Sequence, residues 1–177
     1  HPYQASGWNR DKVYPLLGFD NLDFMEDYSD VSYVRNYISD ASDMEHIIET
    51  YEKNKASGKP AFIFNVTMQN HGGYTDTYMN LTNDIQSQYA SEPLNQYLTL
   101  IHKTDQALEN LIDYFSKVDD RTIIVFFGDH QPNDTVASVV ENGAQVEKQK
   151  RYLVPYLVWS NYGIEGAKDK NTSLNYL

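Results

Sequence analysis

Apolar and polar positions fall along this chain in blocks whose period switches between helix-like and strand-like. Met44, Ile47, Ile48 and Tyr51 recur at helical spacing, and Ser42 with Glu45 forms a capping-box pattern ahead of them. This predicts a helix from about Ser42 to Asn54, closed by Gly58 and Pro60. Ala61-Phe62-Ile63-Phe64-Asn65-Val66-Thr67 reads as a strand running into the polar segment Gln69-Asn70-His71-Gly72-Gly73-Tyr74. Leu94, Tyr97, Leu98, Ile101, Leu108, Leu111, Ile112 and Phe115 mark one face of a long helix behind the helix-start residue Pro93. Thr122-Ile123-Ile124-Val125-Phe126 is a short β-branched run that reads as a buried strand, ended by Gly128. Residues 131–150 are polar and read as a surface loop with some local helix. Tyr152 to Trp159 reads as a further strand, with Pro155 marking an irregularity or an edge. The order is βαβ, which predicts an α/β fold with a mostly parallel sheet sandwiched by helices.

The 177 residues, 41% of them hydrophobic, suffice for one domain with a real core. With 25 acidic residues against 14 basic ones the net charge is −11, and no basic cluster stands out, so nucleic acid is excluded as the expected partner. The absence of cysteine excludes a disulfide framework, a thiolate metal site and a cysteine nucleophile. No apolar stretch approaches the roughly 20 residues of a membrane span. The sequence starts at His1 without an initiator methionine or a signal peptide, and the expectation is a piece of a longer protein.

The candidate chemistry lies at strand ends. Asp129 and His130 follow the strand at 122–126 where open α/β sheets place their ligands, and one oxygen and one nitrogen donor suit Zn²⁺ or Mn²⁺ better than Ca²⁺. An ordinary Gly-Asp-His turn is the alternative. His71 sits beside two glycines that let backbone approach a ligand closely, or is a plain surface histidine. Trp8-Asn9-Arg10 joins an aromatic plate to a guanidinium able to fork onto phosphate or sulfate, the alternative being a helix-start tryptophan packed on the core. His46 and His102 fall on helices, where packing or solvation is expected. Asp105 reads as a buried capping or bridging carboxylate. The sequons at Asn65, Asn80, Asn133 and Asn171 carry no functional weight.

Five segments, in order, are similar to one family. They are His1 with Trp8-Asn9-Arg10, then Tyr14-Pro15-Leu16-Leu17-Gly18-Phe19-Asp20, then Phe62 to Tyr74, then Phe127-Gly128-Asp129-His130-Gln131-Pro132, and last Val154 to Tyr162. The chain resembles the extracellular catalytic domain of lipoteichoic acid synthase-like proteins, a sulfatase-type branch of the alkaline phosphatase superfamily. The resemblance covers nearly its whole length. It implies that residues 1–177 are a single partial sulfatase-like domain, with its amino-terminal part and the membrane helices lying upstream.

By the same resemblance, Asp129 and His130 bind a divalent metal, most often Mn²⁺, with Mg²⁺ or Zn²⁺ as alternatives. His71 contacts the phosphate and assists proton transfer to the leaving group, while Trp8, Arg10 and His1 line the glycerol phosphate pocket. The family's synthases often carry an aspartate two residues after the pocket histidine, where this chain has Tyr3. The implied activity is phosphoglycerol transfer from a phospholipid headgroup, phosphatidylglycerol, to a glycerol-phosphate polymer acceptor, on the extracellular face of a bacterial membrane. The family's threonine nucleophile and a glutamate ligand lie upstream of His1, so the isolated chain is expected to be inactive and, with an exposed sheet edge, to self-associate. Two further readings stay open: a sulfatase or phosphodiesterase hydrolase on the same fold, and a non-catalytic domain that binds an anionic polymer.

Overall fold

The computed structural model describes residues 1–163, which leaves Asn171 outside the described residues. In chain order they form α1 (Arg10–Leu16), the short strands β1 (Tyr33–Val34) and β2 (Tyr37–Ile38), α2 (Asp40–Lys55), α3 (Glu92–Phe115), β3 (Ile123–Phe127), α4 (Asp134–Ala144) and β4 (Tyr156–Ser160).

The α2 helix starts earlier than the capping-box pattern suggests. Ser39 is its N-cap, and its hydroxyl accepts from the Ser42 N–H at 3.1 Å. Ser42 is thereby freed to accept from the Ser32 N–H at 2.9 Å, which ties the preceding loop to the helix. Asp40 and Asp43 in the first turn and Lys53 and Lys55 in the last turn match the helix dipole. The α3 helix begins as expected, with Ser91 capping the Leu94 N–H and Pro93 in the first turn.

Helices α2 and α3 pack on each other through Met44, Ala107, Leu108, Leu111 and Phe115, with Ile124, Phe126 and Trp159 of the β3–β4 ladder covering the far side. A second cluster joins Tyr74, Leu94, Leu100 and Val136, so α4 is held against α3 and beneath the loop that carries His71. Each fully buried aliphatic side chain contributes on the order of 2 kcal/mol through area removed from water.

The sheet differs from the expected one. Strands β3 and β4 pair antiparallel, with Val125 opposite Val158 and Phe127 opposite Tyr156, and β1 and β2 form a separate antiparallel hairpin. Both ladders are two-stranded, so a mostly parallel sheet is not formed among the described residues. The reason lies in the connection: α4 and the 3₁₀ turn Lys148–Tyr152 return the chain to the carboxyl end of β3, where the next strand must run backwards. The strand expected from Tyr152 begins only at Tyr156, because Pro155 has no N–H for a ladder and instead offers its carbonyl to the Gly128 N–H at 3.2 Å. Residues 61–67 pair with no strand among the described residues. Phe62 and Phe64 stack on Phe19 instead.

Candidate functional site

The amino-terminal turn brings the first candidate residues together. Trp8 and Asn9 both take left-handed backbone angles, φ 53° and 55°, which kinks the Gly7–Asn9 turn away from α1. Gly7 is required there, since a Cβ would lie 2.9 Å from the Tyr3 ring. The kink leaves Trp8 57% exposed, so it is a surface plate and not a core anchor. The Arg10 guanidinium lies 4.6 Å from the Trp8 ring centroid, and its Nε–H donates to the Tyr14 hydroxyl at 2.8 Å. A further Arg10 N–H donates to His1 Nε2 at 2.5 Å. His1 Nδ1 lies 2.7 Å from the Val66 carbonyl. A carbonyl only accepts and a guanidinium only donates, so the His1 proton sits on Nδ1 and the ring is locked as one neutral tautomer.

His71 completes this cluster. Its ring centroid is 5.9 Å from that of Trp8 and 5.9 Å from that of Tyr37, and the Tyr37 hydroxyl lies 3.3 Å from His71 Nδ1. Tyr3 fills the gap between Trp8 and Tyr37, at 5.7 and 6.3 Å. The arrangement is therefore an exposed aromatic wall around one histidine, with a cation and a second histidine at its side.

The loop bearing His71 is held from beneath by buried polar groups. Gln69 accepts from the Asp40 N–H at 3.1 Å, and Thr104 donates to Asp40 Oδ2 at 2.5 Å while accepting from the Asn70 side chain at 2.7 Å. Tyr74 donates to the Asn70 carbonyl at 2.6 Å. Burial pushes the Asp40 carboxyl up to about 7, against the Thr104 hydrogen bond that favours its charge. Asp43, one turn later, is also raised by burial, opposed by hydrogen bonds from Tyr28 and Asn65. Gly73, at φ 98°, turns the loop in a conformation that a side chain would resist.

Asp129 and His130 lie on the adjacent loop, which approaches the His71 loop where Asn133 stands 3.4 Å from the space a Cβ on Gly72 would take. Both side chains are exposed. His130 Nδ1–H donates to the Gln131 carbonyl at 2.7 Å, which leaves the lone pair on Nε2. Asp129 Oδ2 is 3.5 Å from that nitrogen. Two ligands about 2.1 Å from a shared ion at a tetrahedral angle stand about 3.4 Å apart, so the spacing fits a divalent metal. The pair supplies only two donors, and no group of three His, Cys, Asp or Glu side chains converges among the described residues.

The structure thus brings His1, Trp8, Arg10 and His71 into one cluster and puts Asp129 and His130 on a neighbouring loop. His46 is bonded to Asp23 at 2.9 Å and stacked on Tyr28, a packing role, and His102 is exposed. Asp105 is also exposed, which corrects the expectation of a buried carboxylate. Thr104 is the residue that turns inward at this point of α3, and the buried carboxylates are Asp40 and Asp43. Tyr37, Arg35, Asp40 and Thr104 were not singled out from sequence. The paired apolar residues Tyr33-Val34 and Tyr37-Ile38 around Arg35-Asn36 are the one signal, that of a hairpin, that could have found the first two.

The family model described as Sulfatase matches residues 1–177. The chain is 30% identical over 175 residues to a Rhizobium meliloti protein named for cyclic β-1,2-glucan modification, covering 91% of this chain and 27% of that protein. It is 27% identical over 133 residues to the lipoteichoic acid synthase-like YvgJ of Bacillus subtilis, covering 73% of this chain and 21% of that one. The fold matches Streptococcus pyogenes phosphoglycerol transferase GacH, solved with sn-glycerol-1-phosphate, at TM-score 0.63 and 22% identity over 97% of this chain and 44% of that one. It also matches the lipoteichoic acid synthase LtaP of Listeria monocytogenes at TM-score 0.70 and 21% identity, over 89% of this chain and 41% of that one. The chain therefore spans about a quarter of the length of these curated relatives and under half of the solved chains.

Proposed function

Because this chain belongs to the sulfatase family, we propose that it forms part of a metal-dependent phosphoglycerol transferase that works on a phospholipid headgroup, phosphatidylglycerol, outside a bacterial membrane. The observation that carries this reading is the convergence of the exposed Trp8 and His71 with Arg10, backed by the buried His1, beside the Asp129–His130 loop. The similarity to phosphoglycerol transferases supports it.

In this reading the Arg10 guanidinium pairs with the phosphoryl oxygens, and the Trp8 plate covers the glycerol moiety. Asp129 and His130 would hold Mn²⁺, or Mg²⁺ or Zn²⁺, together with ligands from outside residues 1–163. When bound, that ion neutralises negative charge developing on the phosphoryl oxygens. A hydroxyl nucleophile from the larger domain, its own proton released to solvent, forms the new O–P bond as the O–P bond to diacylglycerol breaks, and His71 delivers a proton to the departing oxygen. An acceptor hydroxyl then reverses the exchange and takes the phosphoglycerol group. His1, with its proton held on Nδ1 by the Val66 carbonyl, orients Arg10 and takes no part in proton transfer.

Residues 61–67 would pair in a parallel sheet completed by the rest of that domain. The outward face of the β3–β4 ladder, with Ile123, Val125, Phe127 and Val158 all exposed, fits the same reading and would favour self-association of the chain alone. No helix of the described residues is long and apolar enough to cross a membrane, so attachment through helices elsewhere in the polypeptide is part of the proposal.

A second reading concerns the acceptor. The relative named for glucan modification favours a glycan hydroxyl over a glycerol-phosphate polymer. Water as acceptor would make the protein a hydrolase, and an intact cluster without turnover would make it a binding domain.

The test is Mn²⁺-dependent release of diacylglycerol from phosphatidylglycerol by the complete domain, with the Asp129→Ala variant and residues 1–177 alone run alongside. Activity is expected in the complete domain only. Near-normal turnover by Asp129→Ala would overturn the metal assignment, and silence of the complete domain would overturn the headgroup.

A further inference from the structure

Arg35 sits in the turn between β1 and β2 at φ 56°, a left-handed conformation that residues with a Cβ seldom take. It is nonetheless 4% exposed, so the hairpin spends an unfavourable backbone angle on driving a guanidinium inward. What that group meets is the His71 loop. One terminal nitrogen donates to the Gln69 carbonyl at 2.6 Å and to the His71 carbonyl at 2.6 Å, and the other reaches the Gly73 carbonyl at 3.4 Å. These are alternate carbonyls, that of His71 itself and one on either side of it, and one planar donor group holds all three.

Among the described residues, the charge has no carboxylate to answer it. Its electrostatic neighbours are the phenols of Tyr74, Tyr37 and Tyr78, whose ring centroids lie 5.5, 5.3 and 6.0 Å from the guanidinium carbon, and Nε is buried without a partner. Burial pulls the group below its usual range, and phenol faces with carbonyl dipoles offset that cost. A cation kept buried on these terms is not there to neutralise an acid.

The same hairpin also touches the imidazole. Tyr37, two residues on, places its hydroxyl 3.3 Å from His71 Nδ1, which leaves Nε2 as the ring nitrogen for substrate. The hairpin thus grips both the backbone of His71, through Arg35, and its ring, through Tyr37.

We infer that Arg35 is a positioning residue for His71, fixing the loop so that the imidazole meets the departing oxygen of a phosphodiester. The inference rests on the transferase reading of the site. It differs from a packing role in one respect: the defect on removing Arg35 must follow the proton requirement of the leaving group.

The experiment compares two donors in the complete domain, phosphatidylglycerol and glycerol 4-nitrophenyl phosphate, whose leaving group departs at neutral pH without a proton. His71→Ala and Arg35→Gln are each expected to lower kcat with phosphatidylglycerol by about 10²-fold or more, and with the nitrophenyl donor by under about tenfold. The double variant should lose no more than His71→Ala alone. Thermal melts check folding. If Arg35→Gln does not fold, Arg35→Lys, which keeps the charge and loses the planar fork, carries the same comparison. Equal losses with both donors, or a double variant that multiplies the two defects, would overturn the inference and make Arg35 a packing residue. A His71→Ala variant indifferent to the leaving group would overturn the proton role of His71 and this inference with it, whereas diacylglycerol release by the unmutated domain reports on the transferase reading separately.

Discussion

Replacing Asp40 by Asn removes one buried carboxyl from the titration of the chain. Asp40 is fully buried at the start of α2, with Thr104 and Gln69 facing it from α3 and the His71 loop and Asp43 beside it on its own helix. Burial raises it from an ordinary 3.8 to about 7. Its native pKa is therefore above its unfolded one, so the stabilisation is fully present below about pH 4 and is lost as pH rises through about 7. Roughly three units correspond to about 4 kcal/mol. For a chain of this size that is about 8–16 °C in Tm, lost by the parent relative to Asp40→Asn between pH 4 and pH 8. Thermal melts of both proteins, followed by circular dichroism at one-unit steps, measure it, and subtracting the curves removes the pH dependence that the two proteins share. Parallel curves across this range would refute the reasoning, because they would mean that Asp40 releases its proton in the native state as readily as in the unfolded chain.

Leu100 is completely buried in the cluster that joins α3, α4 and Tyr74, so Leu100→Ala should cost about 2–5 kcal/mol in urea unfolding. Gly73→Ala meets no atom within 4 Å, so its cost is that of φ 98° alone, about 1–2 kcal/mol, read from the same unfolding curves. His130→Ala removes an exposed side chain and should leave the melting curve within about 0.5 kcal/mol of the parent, while titration calorimetry of the complete domain should show Mn²⁺ affinity falling at least tenfold.

The elements that could be read in the sequence are those whose burial is one-sided and local. Helix α3 shows most of its face because Leu94, Leu108, Leu111 and Phe115 keep a helical period, although the expected Ile101 is exposed and Leu100 takes the buried position. Strand β3 shows itself by its β-branched and aromatic run, although Ile123 and Val125 are exposed and the strand is covered on one face only, not buried. The direction of β4 was not legible, since its side-chain pattern is the same whichever way it runs. Direction was decided by α4, which returns the chain to the end of β3. Residues 61–67 have a strand's composition and no ladder among the described residues, because composition reports what a segment can pair with and not whether the partner is at hand. Ser42 and Ser39 stand in similar local sequence, and only the Ser32 loop, folding back on Ser42, decides which serine caps the helix.

The candidate site divides along the same line. Trp8, Arg10, His71, Asp129 and His130 can be named in advance because they fall in the five segments that resemble one family, whereas each residue by itself has an ordinary structural reading. The residues that hold them could not. Asp40 and Asp105 are both acids on helices, yet packing of α2 against α3 buries the first, with Thr104 and Gln69 to receive it, and turns the second outward. Arg35 reads as a surface charge until the hairpin at φ 56° is seen to turn it under the His71 loop. A buried polar group is specified by its partners, and these lie 29 to 64 residues away from Asp40 and 34 to 38 residues away from Arg35. The groups proposed to meet substrate are thus local in sequence, while the groups that aim them exist only once the chain has closed. That is why a substitution at Arg35 or Asp40 is the sharper probe of how the site is held, and a substitution at His71 or Asp129 the sharper probe of what it does.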